Sequence, residues 1–238
     1  MYSFQSRIRF SEVGEDNCLT IPSLINYFQD CSTFQSEDGP VGVSWLKEKK
    51  RCWVISSWEI RVLRRPFLGE RIRIGTWATE LNGFFGLRNF CIQDDKGENL
   101  AEANTLWTYL DTEKMRPAKI DEESAAVYPI EEPLLREWKG RKIPLPKEGE
   151  KKEPITVGRF LLDTNGHVNN EKYVWLAMEY VPKEFEISHL RVEYKNSAMY
   201  HDVMVPVVTK TKDTIVVVLQ DEQGKIFAVV EFERGKEC

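Results

Sequence analysis

The grouping with most chemistry in the chain is Leu162-Asp163-Thr164-Asn165-Gly166-His167-Val168-Asn169-Asn170-Glu171-Lys172-Tyr173. Asp163, Asn165 and His167 alternate, so an extended backbone would project a carboxylate, an amide and an imidazole to one side. Asn169 or Asn170 can cap the helix predicted by the spacing of Tyr173, Val174, Leu176, Ala177 and Tyr180. A helix N-terminus offers unpaired N–H groups and partial positive charge to a developing oxyanion. It also favours a neutral imidazole at His167, which can take a proton from water. That combination is hydrolytic chemistry. His189 and His201 have no acidic or cysteine partner at comparable spacing and read as structural or solvated.

The elements that must hold this grouping are mostly strands. Runs rich in Val, Ile and Trp predict strands over Cys52–Val62, Glu70–Thr79, Gly86–Gln93, Leu106–Leu110, Val203–Thr209, Thr214–Gln220 and Ile226–Phe232. A second helix is predicted over Pro22–Asp30, where Ile21, Leu24, Ile25 and Phe28 have helical spacing. The two halves repeat one another. The hairpin turn Gln93-Asp94-Asp95-Lys96-Gly97 recurs as Gln220-Asp221-Glu222-Gln223-Gly224, and Trp58–Val62 with Gly69–Ile72 recurs as Leu190–Tyr194 with His201–Met204. The first half carries an insertion over Ser36–Arg51, predicted to form a helix bearing Trp45 and Leu46. Asp16 and Asn17 stand before the first helix where the second half has its histidine, which predicts one active site per chain. Between the halves, Pro117, Pro129, Pro133, Pro144, Pro146 and Pro154 exclude a central strand. A linker is expected over 121–153, with a short polar helix around Pro133–Lys139, between an N-terminal repeat at 1–120 and a C-terminal repeat at 154–238.

Composition narrows the class. With 42% hydrophobic and 30% charged residues the chain is neither disordered nor fibrous. A formal charge of -5 argues against a nucleic-acid binder, and no apolar run reaches the ~20 residues of a membrane span. Cys18, Cys31, Cys52, Cys91 and Cys238 lack C-x-x-C pairs or zinc spacing, so reduced thiols, no metal and a cytoplasmic location are expected. The alternating N-terminus does not read as a secretory signal.

The octet Asp163–Asn170, followed by Lys172-Tyr173, resembles the signature of acyl-ACP thioesterases, and the resemblance extends through Arg64-Arg65-Pro66, Gly69-Glu70, Trp77 and Val192–Lys195. It implies an α+β fold of two tandem hotdog repeats, each a long helix wrapped by an antiparallel sheet. It also implies hydrolysis of the thioester of fatty acyl-[acyl-carrier-protein], with no cofactor. Asp163 would be nucleophile or base, Asn165 would polarise the thioester carbonyl, and His167 would assist proton transfer. A thiolate of pKa about 8.5 leaves without strong acid help, which suits so modest an apparatus. The partner implied is acyl carrier protein, and a homodimer is compatible with it.

One segment departs from that family. Where its members usually show Glu-Cys after a basic pair, this chain has Ser197-Ala198. A cysteine nucleophile there is excluded. Ser197 could hold a water, and Glu193, four residues earlier, could stand in for the glutamate. The basic residues Lys49, Lys50, Arg64 and Arg65 are a candidate docking surface for an acidic carrier. The rival readings are an acyl-CoA thioesterase, a hotdog enoyl hydratase and a non-catalytic acyl-binding hotdog protein.

Overall fold

The computed structural model describes residues 1–235, and Cys238 lies outside them. The chain divides into two compact units, one of Met1–Ser56 with Leu63–Trp138, the other of Ser57–Val62 with Lys139 onward. Their division after Trp138 falls within the proline-rich stretch.

The first unit contains β1 (Tyr2–Arg7), α1 (Ile21–Glu37), α2 (Val43–Glu48), the first half of β2 (Arg51–Val62), β3 (Arg71–Asn82), β4 (Phe85–Gln93), β5 (Asn99–Asp111), β6 (Arg116–Pro117) and α3 (Glu122–Ala126). Its sheet runs β1-β3-β4-β5-β2, with β1–β3, β3–β4 and β4–β5 paired antiparallel. Thr20 caps α1 by accepting the Ser23 N–H at 3.2 Å, and Pro22 sits in the first turn, where its missing N–H costs nothing. The predicted stripe of Leu24, Ile25 and Phe28 is wholly buried against the sheet, with Phe28 and Phe90 rings 5.2 Å apart. Each such side chain contributes about 1.5–3 kcal/mol through burial.

The second unit adds β7 (Glu150–Lys151), β8 (Ile155–Thr156), α4 (Asn170–Met178), β9 (Ile187–Tyr194), β10 (Val203–Lys210), β11 (Thr214–Gln220) and β12 (Ile226–Arg234). Its sheet runs from the second half of β2 through β9-β12-β11-β10-β7, again antiparallel. Helix α4 packs on β11 and β12. It spans nine residues against seventeen in α1. Pro182 bars the residue before it from helical geometry and limits the extension. These are the α+β hotdog units expected from the resemblance.

The repeat is visible in detail. Asp94 Oδ1 accepts the N–H groups of Lys96 and Glu98, and Asp221 Oδ1 accepts those of Gln223 and Lys225, all at 2.8–2.9 Å. Insertion helix α2 carries Trp45 and Leu46 as expected. The helix expected at Pro133–Lys139 is absent. Pro133 favours an extended Glu132, the Glu132 carbonyl accepts the Trp77 indole N–H at 2.9 Å, and the Leu134 N–H goes to Asn89 Oδ1 at 2.8 Å. Tertiary partners thus take the polar groups that a helix would have used. The short helix of the linker, α3, lies earlier, with Asp121 as its cap. Among the described residues no helix is long and apolar enough to cross a membrane.

Candidate active site

The segment Leu162–Asn170 is a tight loop and not an extended run. Asp163 Oδ1 accepts the N–H groups of Asn165 at 2.8 Å and His167 at 3.1 Å, which draws the backbone into a turn. The turn closes with Gly166 N–H donating to the Asp163 carbonyl at 3.1 Å and Asp163 N–H to the His167 carbonyl at 2.7 Å. Gly166 has φ 76°, a conformation open to glycine at no steric cost. The result corrects the expectation of three side chains alternating on one extended face. Asp163 organises the loop, Asn165 stands exposed at its tip, and His167 returns half-buried. The ring of His167 takes no hydrogen-bond partner from the described residues. Asn169 then caps α4, its Oδ1 accepting the Glu171 N–H at 3.2 Å.

A second segment backs this loop. Val168 N–H donates to the Ala198 carbonyl at 2.9 Å, and His167 forms an antiparallel bridge with Met199. Ala198 N–H in turn donates to the Tyr173 hydroxyl at 2.9 Å. Tyr173 is 2% exposed, and burial, followed by the carboxylates of Asp163 and Asp202, pushes its pKa up to about 12 despite the Ala198 N–H. The hydroxyl therefore keeps its proton at any physiological pH. Ser197 is exposed at the edge of this backing segment, and the methyl of Ala198 is fully buried.

Glu193 does not join the site. Strand alternation sends its neighbour Tyr194 toward α4, where the Tyr194 hydroxyl donates to the Asn170 carbonyl at 2.8 Å. Glu193 therefore lies on the opposite face, 5% exposed, accepting the Ile143 N–H at 3.2 Å and pairing with Lys195 at 3.5 Å. The reason is that β9 ends at Tyr194: the period of two that would keep Glu193 and Ser197 on one face does not carry past it, because the chain bends there.

The first unit holds the same loop without the same side chains. Gly14 N–H donates to the Cys18 carbonyl, Asn17 N–H to the Gly14 carbonyl and Leu19 N–H to the Pro66 carbonyl, at 3.0, 3.0 and 2.8 Å, while Cys18 bridges Phe67. Asn17, at φ 59°, takes the place of Gly166, Cys18 that of His167, and Asp16 that of Asn165.

The four basic residues fall into two kinds. Arg64 grips Glu70 through two bonds of 2.6 and 2.9 Å, and Glu70 also accepts the Phe67 N–H at 2.8 Å. Arg65 is ion-paired with Asp16. These arginines fasten the first unit's own loops. Lys49 and Lys50 are over half exposed, with long pairs to Glu123 at 3.6 Å and Glu113 at 3.9 Å, which water and salt weaken easily. The two kinds flank opposite ends of the twelve-residue strand β2.

His189 does have acidic partners, which spacing along the chain did not reveal. Its Nδ1 lies 3.0 Å from Glu233 Oε2 and its Nε2 3.1 Å from Glu59 Oε1. Glu59 also accepts the N–H groups of Lys139 and Gly140 at 2.9 and 3.1 Å, so this cluster ties residues 139–140 of the second unit to β2. Among the described residues no three His, Cys, Asp or Glu side chains gather as a metal would require.

Sequence models of acyl-ACP thioesterases match the chain twice, the N-terminal domain over residues 1–128 and the C-terminal domain over 145–232. A chloroplastic palmitoyl-acyl carrier protein thioesterase of Cuphea hookeriana is 29% identical over 217 residues, covering 83% of this chain and 52% of its own length. The chloroplastic oleoyl-acyl carrier protein thioesterase 1 of Arabidopsis thaliana is 25% identical over 228 residues, covering 87% of this chain and 63% of its own. The chain thus spans about half to two thirds of the length of these relatives. Among solved structures, an acyl-ACP thioesterase from Bacteroides thetaiotaomicron has a TM-score of 0.89 at 20% identity, covering 98% of this chain and 97% of its own. The 12:0-ACP thioesterase from Umbellularia californica gives 0.84 at 22% identity, with 98% and 97% covered. At these identities the structural likeness speaks to the fold.

Proposed function

The chain belongs to the acyl-ACP thioesterase family, and from that premise we propose that it hydrolyses the thioester of fatty acyl-[acyl-carrier-protein] to a free fatty acid and the carrier thiol, a reaction of fatty acid biosynthesis. The observation that carries the reading is the loop before α4. It presents the exposed Asn165 amide and the half-buried His167 ring beside a helix N-terminus, whereas the equivalent loop of the first unit carries Asp16 and Cys18.

In this reading His167 takes a proton from water as the water oxygen bonds to the thioester carbonyl carbon. The oxyanion that develops meets the Asn165 amide and the positive end of α4. When the carbonyl re-forms, the C–S bond breaks and the electron pair leaves on sulfur, which takes up the proton. Asp163 serves as the anchor of the loop, because its Oδ1 is already committed to two backbone N–H groups. Ala198 supplies no nucleophile, and in this reading the Ser197 hydroxyl holds a water. The acidic carrier docks through Lys49 and Lys50, whose weak pairs exchange readily for carboxylates of a partner. The reading needs no cofactor and no second copy of the chain. Four reduced cysteines among the described residues support a cytoplasmic setting.

The test is release of fatty acid and free thiol from panels of acyl-ACP and acyl-CoA. Turnover of acyl-ACP, lowered roughly 100-fold by His167→Ala in a folded variant, is the expected result. Hydrolysis of acyl-CoA alone would make the chain an acyl-CoA thioesterase, and unchanged turnover in the variant would overturn the role of His167.

A further inference from the structure

The two loops of the repeat differ in one further pair of atoms. In the second unit the Tyr173 hydroxyl of α4 accepts the Ala198 N–H at 2.9 Å. In the first unit the position of Tyr173 on the helix is held by Leu24, fully buried and without a hydroxyl. The position of Ala198 is held by Pro66, which has no N–H to give. Neither half of the bond exists there, and yet the Leu19 N–H still reaches the Pro66 carbonyl at 2.8 Å and Cys18 still bridges Phe67. The loop therefore folds without this bond, which is found where Asp163, Asn165 and His167 are found.

We propose that Tyr173 is a positioning residue of the hydrolytic site: by taking the Ala198 N–H, its hydroxyl fixes the Ala198–Met199 segment against which His167 is held. The chain of contacts is short. Tyr173 holds Ala198, whose carbonyl takes the Val168 N–H at 2.9 Å, and the next residue, Met199, bridges His167. Met199 is itself 52% exposed, so packing does little to immobilise it and the hydrogen bond at Ala198 carries more of the task. Tyr173 is held in turn by its ring, which meets Tyr194 edge-on at 5.7 Å, while the Tyr194 hydroxyl donates to the Asn170 carbonyl at 2.8 Å. The backing segment is thus tied to α4 by the buried Tyr173 hydroxyl, and β9 to the first turn of α4 by the Tyr194 hydroxyl and the ring contact.

This inference rests on the hydrolase reading for its kinetic consequence, and a double-mutant cycle tests it. Tyr173→Phe removes the hydroxyl and keeps the ring. Ala198→Pro removes the N–H, a change that the same backbone accepts in the first unit at Pro66. Each single variant, and the double variant alike, is expected to lose about tenfold in kcat on acyl-ACP with KM within about twofold, since one bond is being removed by three routes. The ring signals of His167, followed by NMR through a pH titration, should move in all three variants and in the same sense. A Tyr173→Phe variant with wild-type kcat, a double variant losing the product of the two single losses, or unmoved His167 signals would overturn the proposal. Absence of acyl-ACP hydrolysis in the unmodified chain would defeat the hydrolase reading separately, and the His167 signals would still decide whether Tyr173 holds the loop.

Discussion

Asp163→Asn and Asp163→Ala separate an anchoring carboxylate from a reacting one. The carboxylate accepts two backbone N–H groups, at 2.8 and 3.1 Å. A hydrogen bond to a charged acceptor contributes about 1.5–3 kcal/mol and a neutral one about 0.5–1.5 kcal/mol. Asp163 is only half-buried, so the lower end of the charged range applies, and losing both bonds costs about 3 kcal/mol in Asp163→Ala. At 1.36 kcal/mol per factor of ten, that is roughly 150-fold in kcat/KM if the loop must be ordered for reaction. Asparagine keeps an oxygen where Oδ1 stands and so retains both bonds in neutral form, for a loss of roughly 1–1.5 kcal/mol, or about tenfold. The assay is initial-rate release of thiol from acyl-ACP, with circular dichroism confirming the fold. The fold should survive in both, because the first unit closes the same turn with Gly14 in this place. If Asp163→Asn were as inactive as Asp163→Ala, the charge itself would be taking part in the reaction, and if Asp163→Ala kept full activity the anchor would be irrelevant.

Two further outcomes concern charge. Burial would raise the Glu59 carboxyl, but the His189 hydrogen bond, the Lys139 N–H and the charges of His189 and Arg191 outweigh it and hold the group below its ordinary 4.5. A depressed carboxylate stabilises the fold above its unfolded pKa and loses that contribution as pH falls through the folded value. The urea-midpoint gap between wild type and Glu59→Gln should therefore be full at pH 7 and shrink steadily below pH 4.5. A gap that does not change with pH would show that the carboxylate is not the source. Reversing Lys49 and Lys50 to Glu should raise KM for acyl-ACP severalfold at low salt and leave acyl-CoA unaffected, with the difference fading above ~0.1 M salt, where screening acts within about 10 Å. Equal effects on both substrates would point to a damaged fold.

What could be read from the chain was local. The turns at Asp94 and Asp221, the Asn169 cap, the stripe Leu24-Ile25-Phe28 and the octet Asp163–Asn170 all act within about four residues, and so spacing alone exposes them. The repeat was legible for the same reason, since each half writes the same local signals in the same order. Tertiary pairing decided the rest. Strand β5 begins at Asn99, well before the apolar run at Leu106, because β4 offers it partners from Gln93 back to Phe85. The residues around Pro133 are not helical because Asn89 and Trp77 claim their backbone groups.

The site divides in the same way. Asp163, Asn165 and His167 announce themselves by type and alternation, although the carboxylate that was expected to react spends one oxygen on bending the chain. Glu193 shows how a short separation in sequence misleads once a strand's two faces part. His189 shows the reverse, with its carboxylates 44 and 130 residues away. The bond between Tyr173 and Ala198 spans 25 residues and involves a backbone N–H that any residue but proline would carry, so no residue type marks it. Residue identity determined which atoms could take part in chemistry or capping; which of them meet was decided by strand register and by the helix laid across it, since only these bring distant groups within the three ångströms that a hydrogen bond requires.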